Sequence, residues 1–172
     1  MNSSGDSQTL YIVCDISGSM AENGKRMRVR SVARAIEQYI RLGYGNISLK
    51  LIAWNTTASL LEWNPDDEFP PILFECYGPS NSDALCALFD SMPIGKILLL
   101  TDCCWSRDDA NVLKRWQRKL SPDTLKIIKI GSDTTLLQKK ENIFSPDEIL
   151  LALDGWLPSC VSTEDNYEAD EW

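Results

Sequence analysis

Two stretches of the chain are almost entirely apolar, and each is followed by an aspartate. Residues 9–14 read TLYIVC and precede Asp15, and residues 96–101 read KILLLT and precede Asp102. Uninterrupted apolar runs of this length are typical of strands that are buried on both faces of a parallel sheet. The pattern therefore predicts two central strands, each with a carboxylate at its carboxyl end.

Helical periodicity appears in the segments between and after these strands. Over 29–43, apolar residues recur at three- and four-residue spacing, with basic residues on the other side. Further helices are predicted over 82–91, from the capping residue Ser106 to about Leu120, and from Ser145-Pro146 to about Trp156.

Shorter strand patterns complete the predicted sheet. They fall at 47–54, 60–63, 125–130 and 142–144. The first two are expected to pair as a hairpin, and the proline- and glycine-rich segment 64–82 is expected to be a loop. Because strands alternate with helices, the fold class is predicted as α/β. We expect a doubly wound, mostly parallel sheet in three layers, with one antiparallel edge strand.

The length of 172 residues is typical of one domain. We expect an N-terminal extension over 1–8, a single domain over 9–157 and an acidic tail over 158–172. The last ten residues, TEDNYEADEW, contain five acids and no base, a composition that predicts disorder. Such a tail serves either as a solubilising end or as an aromatic-acidic docking peptide.

Composition and charge exclude several classes of function. Seventeen Lys and Arg stand against 25 Asp and Glu, and the resulting net charge of −8 argues against a nucleic-acid binder. Because the chain has no histidine, Ser-His-Asp and Cys-His catalysis and imidazole-ligated zinc sites are excluded. No apolar run approaches the roughly 18 residues of a membrane span, and the start MNSSGDSQ lacks the features of a secretory signal. We therefore expect a cytoplasmic protein whose six cysteines, none in a C-x-x-C pair, are mainly buried thiols.

Hard oxygen donors are expected to meet at the carboxyl edge of the predicted sheet. In an open α/β sheet, ligands bind beyond the carboxyl ends of the strands, where the strand order reverses. Asp15 and Asp102 are both expected at this edge, and Ser17 and Ser19 add two hydroxyl groups. This donor set suits Mg²⁺ or Mn²⁺ rather than zinc or copper. Alternatively, these aspartates and serines are ordinary caps of loops and helices.

The motif DISGSM at 15–20, together with LLLTD at 98–102, resembles the metal-ion-dependent adhesion site of von Willebrand factor A domains. The resemblance covers the order of elements from about residue 9 to 156. It implies that Ser17 and Ser19 contact the metal through their hydroxyls, and that Asp15 and Asp102 hold it directly or through water. It also implies a protein partner whose Asp or Glu fills an open position on the metal, with no bond broken. The chain is similar to small intracellular members of this family that accompany AAA ATPases or stress and defence systems.

The chain departs from the family pattern at two places. The family has a fifth ligand, usually a threonine in a G-G-T loop, whereas residues 78–85 here read GPSNSDAL. Ser80 is the best match for that threonine, and Ser82 is the alternative. After Asp102, where the family often has glycine, the sequence Cys-Cys-Trp follows. Its tryptophan, Trp105, either contacts the partner or packs on the sheet.

Two other functions are compatible with the sequence. A phosphotransferase of the haloacid-dehalogenase type would use Asp15 as its nucleophile, with Lys96 or Arg107 as the cationic group near the phosphate. That chemistry usually has a second acid two residues after the first, where Ser17 stands here. A metal-free scaffold would act through the acidic tail and the six basic residues of 25–41, although such a stripe also serves as a solvated helix face. No glycine-rich phosphate-binding motif supports nucleotide binding.

Overall fold

The computed structural model describes residues 8–43, 46–131 and 141–157. Its centre is a six-stranded sheet in the order β3-β2-β1-β4-β5-β6. The strands are β1 (Gln8–Asp15), β2 (Ile47–Trp54), β3 (Ala58–Leu61), β4 (Lys96–Thr101), β5 (Leu125–Lys129) and β6 (Ile143–Phe144). All neighbouring strands are parallel except β3, which pairs antiparallel with β2 at one edge. The predicted α/β class, the mostly parallel sheet and the antiparallel edge strand are confirmed.

Four helices connect and cover the strands. They are α1 (Lys25–Gly43), α2 (Ser82–Asp90), α3 (Arg107–Lys119) and α4 (Ile149–Leu153). Short 3₁₀ turns lie at Gly18–Ala21, Pro71–Phe74 and Pro146–Glu148. In the described parts of the chain, no helix combines the length and the hydrophobicity that a membrane crossing requires.

Several predicted elements differ from the structure in their bounds. The first helix begins at Lys25, four residues before the apolar periodicity that predicted it. The predicted strand 60–63 forms two residues earlier, as β3, directly after the tight turn in which Asn55 N–H donates to the Thr57 carbonyl. The predicted terminal helix is shorter than expected. It begins with a 3₁₀ turn and ends at Leu153, because Asp154 is extended and Gly155 has a φ of 68°. The predicted tail over 158–172 lies outside the described residues.

The apolar run of β1 is explained by burial on both faces of the sheet. Leu10, Ile12 and Cys14 belong to one core cluster, together with the inward face of α1 and residues of α4. Tyr11 and Val13, which alternate with them, belong to a second cluster with residues of α2 and α3. The sheet is therefore the middle layer of three, and β1 lies at its centre.

Gly95 lies where the chain enters β4 beside β1. A Cβ atom at this position would be 2.5 Å from the Thr9 carbonyl oxygen and 2.9 Å from Cε2 of Tyr11. The Tyr11 hydroxyl also donates to the Pro93 carbonyl at 2.9 Å, so this side chain holds the segment that precedes β4. The close approach of the two backbones therefore requires glycine here.

Candidate metal centre

The carboxyl ends of β1 and β4 lie side by side, because Cys14 pairs with Leu100 in the parallel register. This register places Asp15 next to Thr101. The strand order reverses between β1 and β4, so Asp15, which ends β1, and Asp102, which follows β4, lie at the topological switch point, as predicted. We use the term candidate metal centre for the five predicted ligands, which are Asp15, Ser17, Ser19, Ser80 and Asp102.

Asp15 is almost fully buried and is held by two hydrogen bonds. Its Oδ1 accepts the N–H of Ser17 at 2.9 Å, and its Oδ2 accepts the hydroxyl of Thr101 at 2.6 Å. Burial raises the pKa of the Asp15 carboxyl above its usual value, and the bonds from Thr101 and Ser17 oppose this shift. The carboxylate is thus fixed in orientation by its own strand end and by the adjacent one.

Asp102 follows β4 and is paired with a lysine. Its Oδ1 accepts the N–H of Cys104 at 3.0 Å, and its Oδ2 lies 3.0 Å from Nζ of Lys25. Burial acts to raise the pKa of Asp102, but hydrogen bonds from Cys104, Lys25 and the Ser19 side chain hold that pKa below its usual value. Asp102 is therefore a carboxylate at neutral pH.

The two motif serines face each other in the turn that follows β1. The Oγ atoms of Ser17 and Ser19 lie 3.4 Å apart. Met20, in the same 3₁₀ turn, has no exposed surface and anchors the turn in the core. Burial of this methionine explains why the chain turns sharply here and holds both hydroxyls at the sheet edge.

The loop that carries Ser80 packs directly on this turn. Gly18 N–H donates to the Gly78 carbonyl at 2.8 Å, and Gly78 has a φ of 71°, which favours glycine. Ser80 is buried, and no hydrogen-bond partner for its Oγ is found among the described residues. The alternative ligand, Ser82, begins α2, and its N–H donates to Asp109 of α3 at 2.9 Å. The Oγ of Ser82 is also buried and has no hydrogen-bond partner among the described residues, so this criterion does not separate the two serines. They differ in position, because Ser80 lies in the loop that contacts the turn and Ser82 begins α2.

Trp105 packs within the second core cluster. It is half-buried, and its ring centroid lies 6.4 Å from that of Trp54. The Trp54 indole N–H in turn donates to the Asn81 carbonyl at 2.7 Å, so this pair of tryptophans supports the loop that carries Ser80. The structure therefore gives Trp105 the packing role, and its role as a partner contact stays a prediction.

The adjacent cysteines after Asp102 point in different directions. Cys103 packs in the second cluster at a φ of 62°, and burial raises its pKa to about 12. Cys104 is exposed and lines a cavity of about 160 Å³, together with Lys25, Arg28, Asp102 and Lys129. Among the described cysteines only Cys14 is fully buried, so the expectation of mainly buried thiols was too strong.

Sequence reasoning missed two residues of this region and did not foresee the contacts that the basic helix makes with its own chain. Thr101 and Lys25, which hold the two carboxylates, were not predicted as site residues. Four of the six basic side chains of 25–41 contact their own chain. These contacts are Lys25 with Asp102, Arg26 with the Phe74 carbonyl, Arg34 with the Pro65 and Asp67 carbonyls, and Arg41 with Glu37. The arginine contacts lie at the surface, and the Arg41 side chain is 58% exposed, so these four bases make contacts with their own chain while the helix face stays accessible.

Comparison with known proteins gives matches at the level of structure. No family model and no curated protein sequence matches the chain. The manganese-loaded TRAP protein of Plasmodium vivax is similar with a TM-score of 0.59 and 16% identity, over 88% of this chain and 74% of that one. BatB from Bacteroides thetaiotaomicron is similar with a TM-score of 0.50 and 16% identity, over 71% of this chain and 65% of that one. An aerotolerance-related membrane protein from Bacteroides fragilis gives a TM-score of 0.50 and 16% identity, over 72% of this chain and 68% of that one.

These similarities define the class of fold. At 16% identity they concern the fold alone, and the chain spans about two thirds of the length of the BatB structure, 65%. The six-stranded sheet with β1 at its centre and one antiparallel edge strand is a von Willebrand factor A-like fold. The fold that the two motifs implied is therefore present.

Proposed function

We propose that this chain is a metal-dependent protein-interaction module whose candidate metal centre binds Mg²⁺ or Mn²⁺. The observation that carries the proposal is the set of oxygen donors at one sheet edge. Asp15 ends β1, Asp102 follows the adjacent strand β4, and two serine hydroxyls lie 3.4 Å apart in the turn after β1. The hydroxyl of Ser80, like that of Ser82, is buried without a partner among the described residues. A buried hydroxyl that has no partner is costly, and a cation is a natural partner for it.

Each residue of the centre has a distinct task in this proposal. Asp15, fixed by Thr101 and Ser17, supplies an oriented carboxylate, and Asp102 supplies an ionised one. The serines supply neutral oxygens, which complete the shell of a hard cation without adding charge. The manganese-loaded state of the similar Plasmodium vivax protein supports a divalent ion.

The proposed partner is a protein that presents an Asp or Glu. When bound, the ion supplies a local positive charge in a chain of net charge −8. An acidic side chain of a partner is the ligand that this charge would attract. The proposed setting is a cytoplasmic adaptor in an AAA-ATPase-linked, stress or defence system, and it rests on the resemblance of the motifs alone.

The geometry disfavours the phosphotransferase alternative. Both oxygens of Asp15 accept hydrogen bonds, and only 1% of the residue is exposed, so the proposed nucleophile has little access to a substrate. Lys96 begins β4, at the opposite end from Asp102, and its Nζ donates to the Asp123 carbonyl at 2.8 Å. It is therefore not placed to contact a phosphate at Asp15. We propose that the chain is not an enzyme.

Direct metal binding tests the proposal. Purified protein is titrated with Mn²⁺, and free Mn²⁺ is measured by electron paramagnetic resonance. We expect one saturable site that Asp102→Asn abolishes and that Ser80→Ala weakens. Ser82→Ala is the matched control, because it removes a buried hydroxyl only two residues away, at the first residue of α2, and should leave binding unchanged. Capture of a partner in Mg²⁺ that is lost both with chelator and in Asp102→Asn would then establish the interaction.

A folded wild-type chain that binds no Mn²⁺ would contradict the proposal. Partner capture that persists in chelator would favour the scaffold alternative instead. If Ser82→Ala weakens Mn²⁺ binding and Ser80→Ala does not, the fifth ligand is Ser82, and the rest of the proposal stands.

A further inference from the structure

The positively charged side chain of Lys25 contacts a residue of the candidate metal centre. The Lys25 ammonium group is 3.0 Å from Oδ2 of Asp102 and donates to the Ser19 carbonyl at 3.2 Å. The side chains of Lys25 and Asp102 are only 14% and 3% exposed. One of the two carboxylates of the centre is therefore neutralised without any metal.

The position of this lysine is fixed by the local backbone. Lys25 is the first residue of α1, and its N–H donates to the Glu22 carbonyl at 3.1 Å. It follows Asn23 and Gly24, which have φ angles of 53° and 71° and reverse the chain direction. Because α1 is anchored by its buried apolar face, Lys25 leaves the centre only by rotation of its side chain.

The space available for that rotation is itself positively charged. The cavity of about 160 Å³ beside Asp102 is lined by Lys25, Arg28 and Lys129. A displaced ammonium group would lose its bonds to Asp102 and Ser19 and approach two other cations. Displacement of Lys25 therefore costs free energy, and a divalent ion that binds Asp102 has to supply it.

We propose that Lys25 is a tethered cation that competes with a divalent metal for Asp102 and thereby sets the metal affinity of the centre. The inference rests on the proposed function. Oδ1 of Asp102 already accepts the Cys104 N–H, so Lys25 occupies the other oxygen of this carboxylate. Before a metal binds, Lys25 neutralises the Asp102 carboxylate, and metal binding releases the lysine side chain.

The test compares Mn²⁺ binding in wild type, Lys25→Met and Arg28→Met. Free Mn²⁺ is measured by electron paramagnetic resonance, and melting temperatures are measured with and without Mn²⁺. Lys25→Met is expected to bind about tenfold or more tightly, the factor that corresponds to one charge-assisted hydrogen bond. Arg28→Met removes the same charge from the cavity wall and is expected to change the affinity by less than about threefold.

Thermal stability gives a second readout. Without metal, Lys25→Met leaves the Asp102 carboxylate unpaired and is expected to melt below wild type. Added Mn²⁺ is expected to raise the melting temperature of Lys25→Met by more than that of wild type. A purely structural lysine would give only the first effect. If Lys25→Met does not fold, Lys25→Gln is the second variant, because glutamine retains a hydrogen-bond donor without the charge.

The outcomes separate this inference from the proposed function. Saturable binding that is equal or weaker in Lys25→Met overturns the competition and leaves the metal centre standing. An equal increase in Mn²⁺ affinity in Arg28→Met overturns it as well, because the increase would then follow from the loss of any nearby positive charge. Binding in Lys25→Met alone supports the competition, but it contradicts the proposed function, because the wild-type centre would then not bind the metal. If neither wild type nor Lys25→Met binds Mn²⁺, the proposed function fails, and this inference fails with it.

Discussion

Thr101→Val removes a buried hydroxyl that holds Asp15 of the candidate metal centre, and it nearly preserves the shape of the side chain. The Thr101 hydroxyl donates to Asp15 at 2.6 Å and accepts the N–H of Cys103 at 3.1 Å. Thr101 is 0% exposed and Asp15 is 1% exposed. Water therefore cannot readily replace the lost hydroxyl, and both of its partners lose a hydrogen bond.

The expected loss of stability follows from these two bonds. A hydrogen bond to a charged acceptor contributes about 1.5–3 kcal/mol, and one between neutral groups about 1 kcal/mol. The methyl group that valine gains returns about 0.8 kcal/mol through burial. The free energy of unfolding should therefore fall by about 2–3 kcal/mol. For a chain of this size that change lowers the melting temperature by about 5–10 °C.

Urea unfolding, followed by tryptophan fluorescence in the presence of chelator, measures this difference. The control is Thr101→Ser, which keeps the hydroxyl and loses a methyl group, and its expected cost is about 1–2 kcal/mol. A Thr101→Val protein within about 0.5 kcal/mol of wild type would refute the reasoning. A serine variant less stable than the valine variant would do the same, because packing would then outweigh the hydrogen bonds.

Two further predictions concern the packing around the sheet and the helix ends. Gly95→Ala should destabilise the protein by about 1–3 kcal/mol in thermal unfolding, because its Cβ would lie 2.5 Å from a β1 carbonyl oxygen. Gly43→Ala is the control and should not destabilise, because the added Cβ meets no described atom within 4 Å outside its chain neighbours and its own helix backbone; equal losses would contradict the steric argument. Asp109→Ala should cost about 1 kcal/mol at pH 7, because Asp109 accepts hydrogen bonds from the Ser106 hydroxyl and the Ser82 N–H. Burial acts to raise the pKa of Asp109, but these bonds hold it below its usual value, so its stabilising effect is present above about pH 4 and is lost as the pH falls through the folded-state pKa. In urea unfolding, the difference between wild type and Asp109→Ala should thus shrink at acid pH; a difference that grows there would show that the carboxylate is not the stabilising group.

The central strands were predictable because burial on both faces of the sheet determines nearly every residue of each strand. Both faces of β1 and β4 are buried, so nearly every residue is apolar, and the predicted and observed ends agree within one residue. The terminal helix gave no such signal. Its residues ILLAL fit a longer helix equally well, yet Leu150 and Leu151 are 62% and 60% exposed, and the end is set by the backbone at Gly155.

The candidate metal centre was predictable where its residues are close in sequence. Asp15, Ser17 and Ser19 have fixed spacing, and their turn follows directly from the end of a strand. The contact between Lys25 and Asp102 joins residues 77 positions apart. It depends on the strand order and on the start of α1, and no local pattern carries that information. The same holds for Thr101, whose role requires the register of β4 against β1.

The central position of β1 determines when the centre comes into existence. Residues 8–61 supply β1, β2 and β3, which are neighbours in the sheet and need one helical crossover to pair. Asp102 and Thr101 arrive only with β4, whose pairing with β1 closes a loop of some eighty residues. During synthesis, Asp15 therefore emerges from the ribosome long before Asp102, and the two cannot meet until β4 has been made. The residues of the candidate metal centre therefore come together only when β4 has paired with β1.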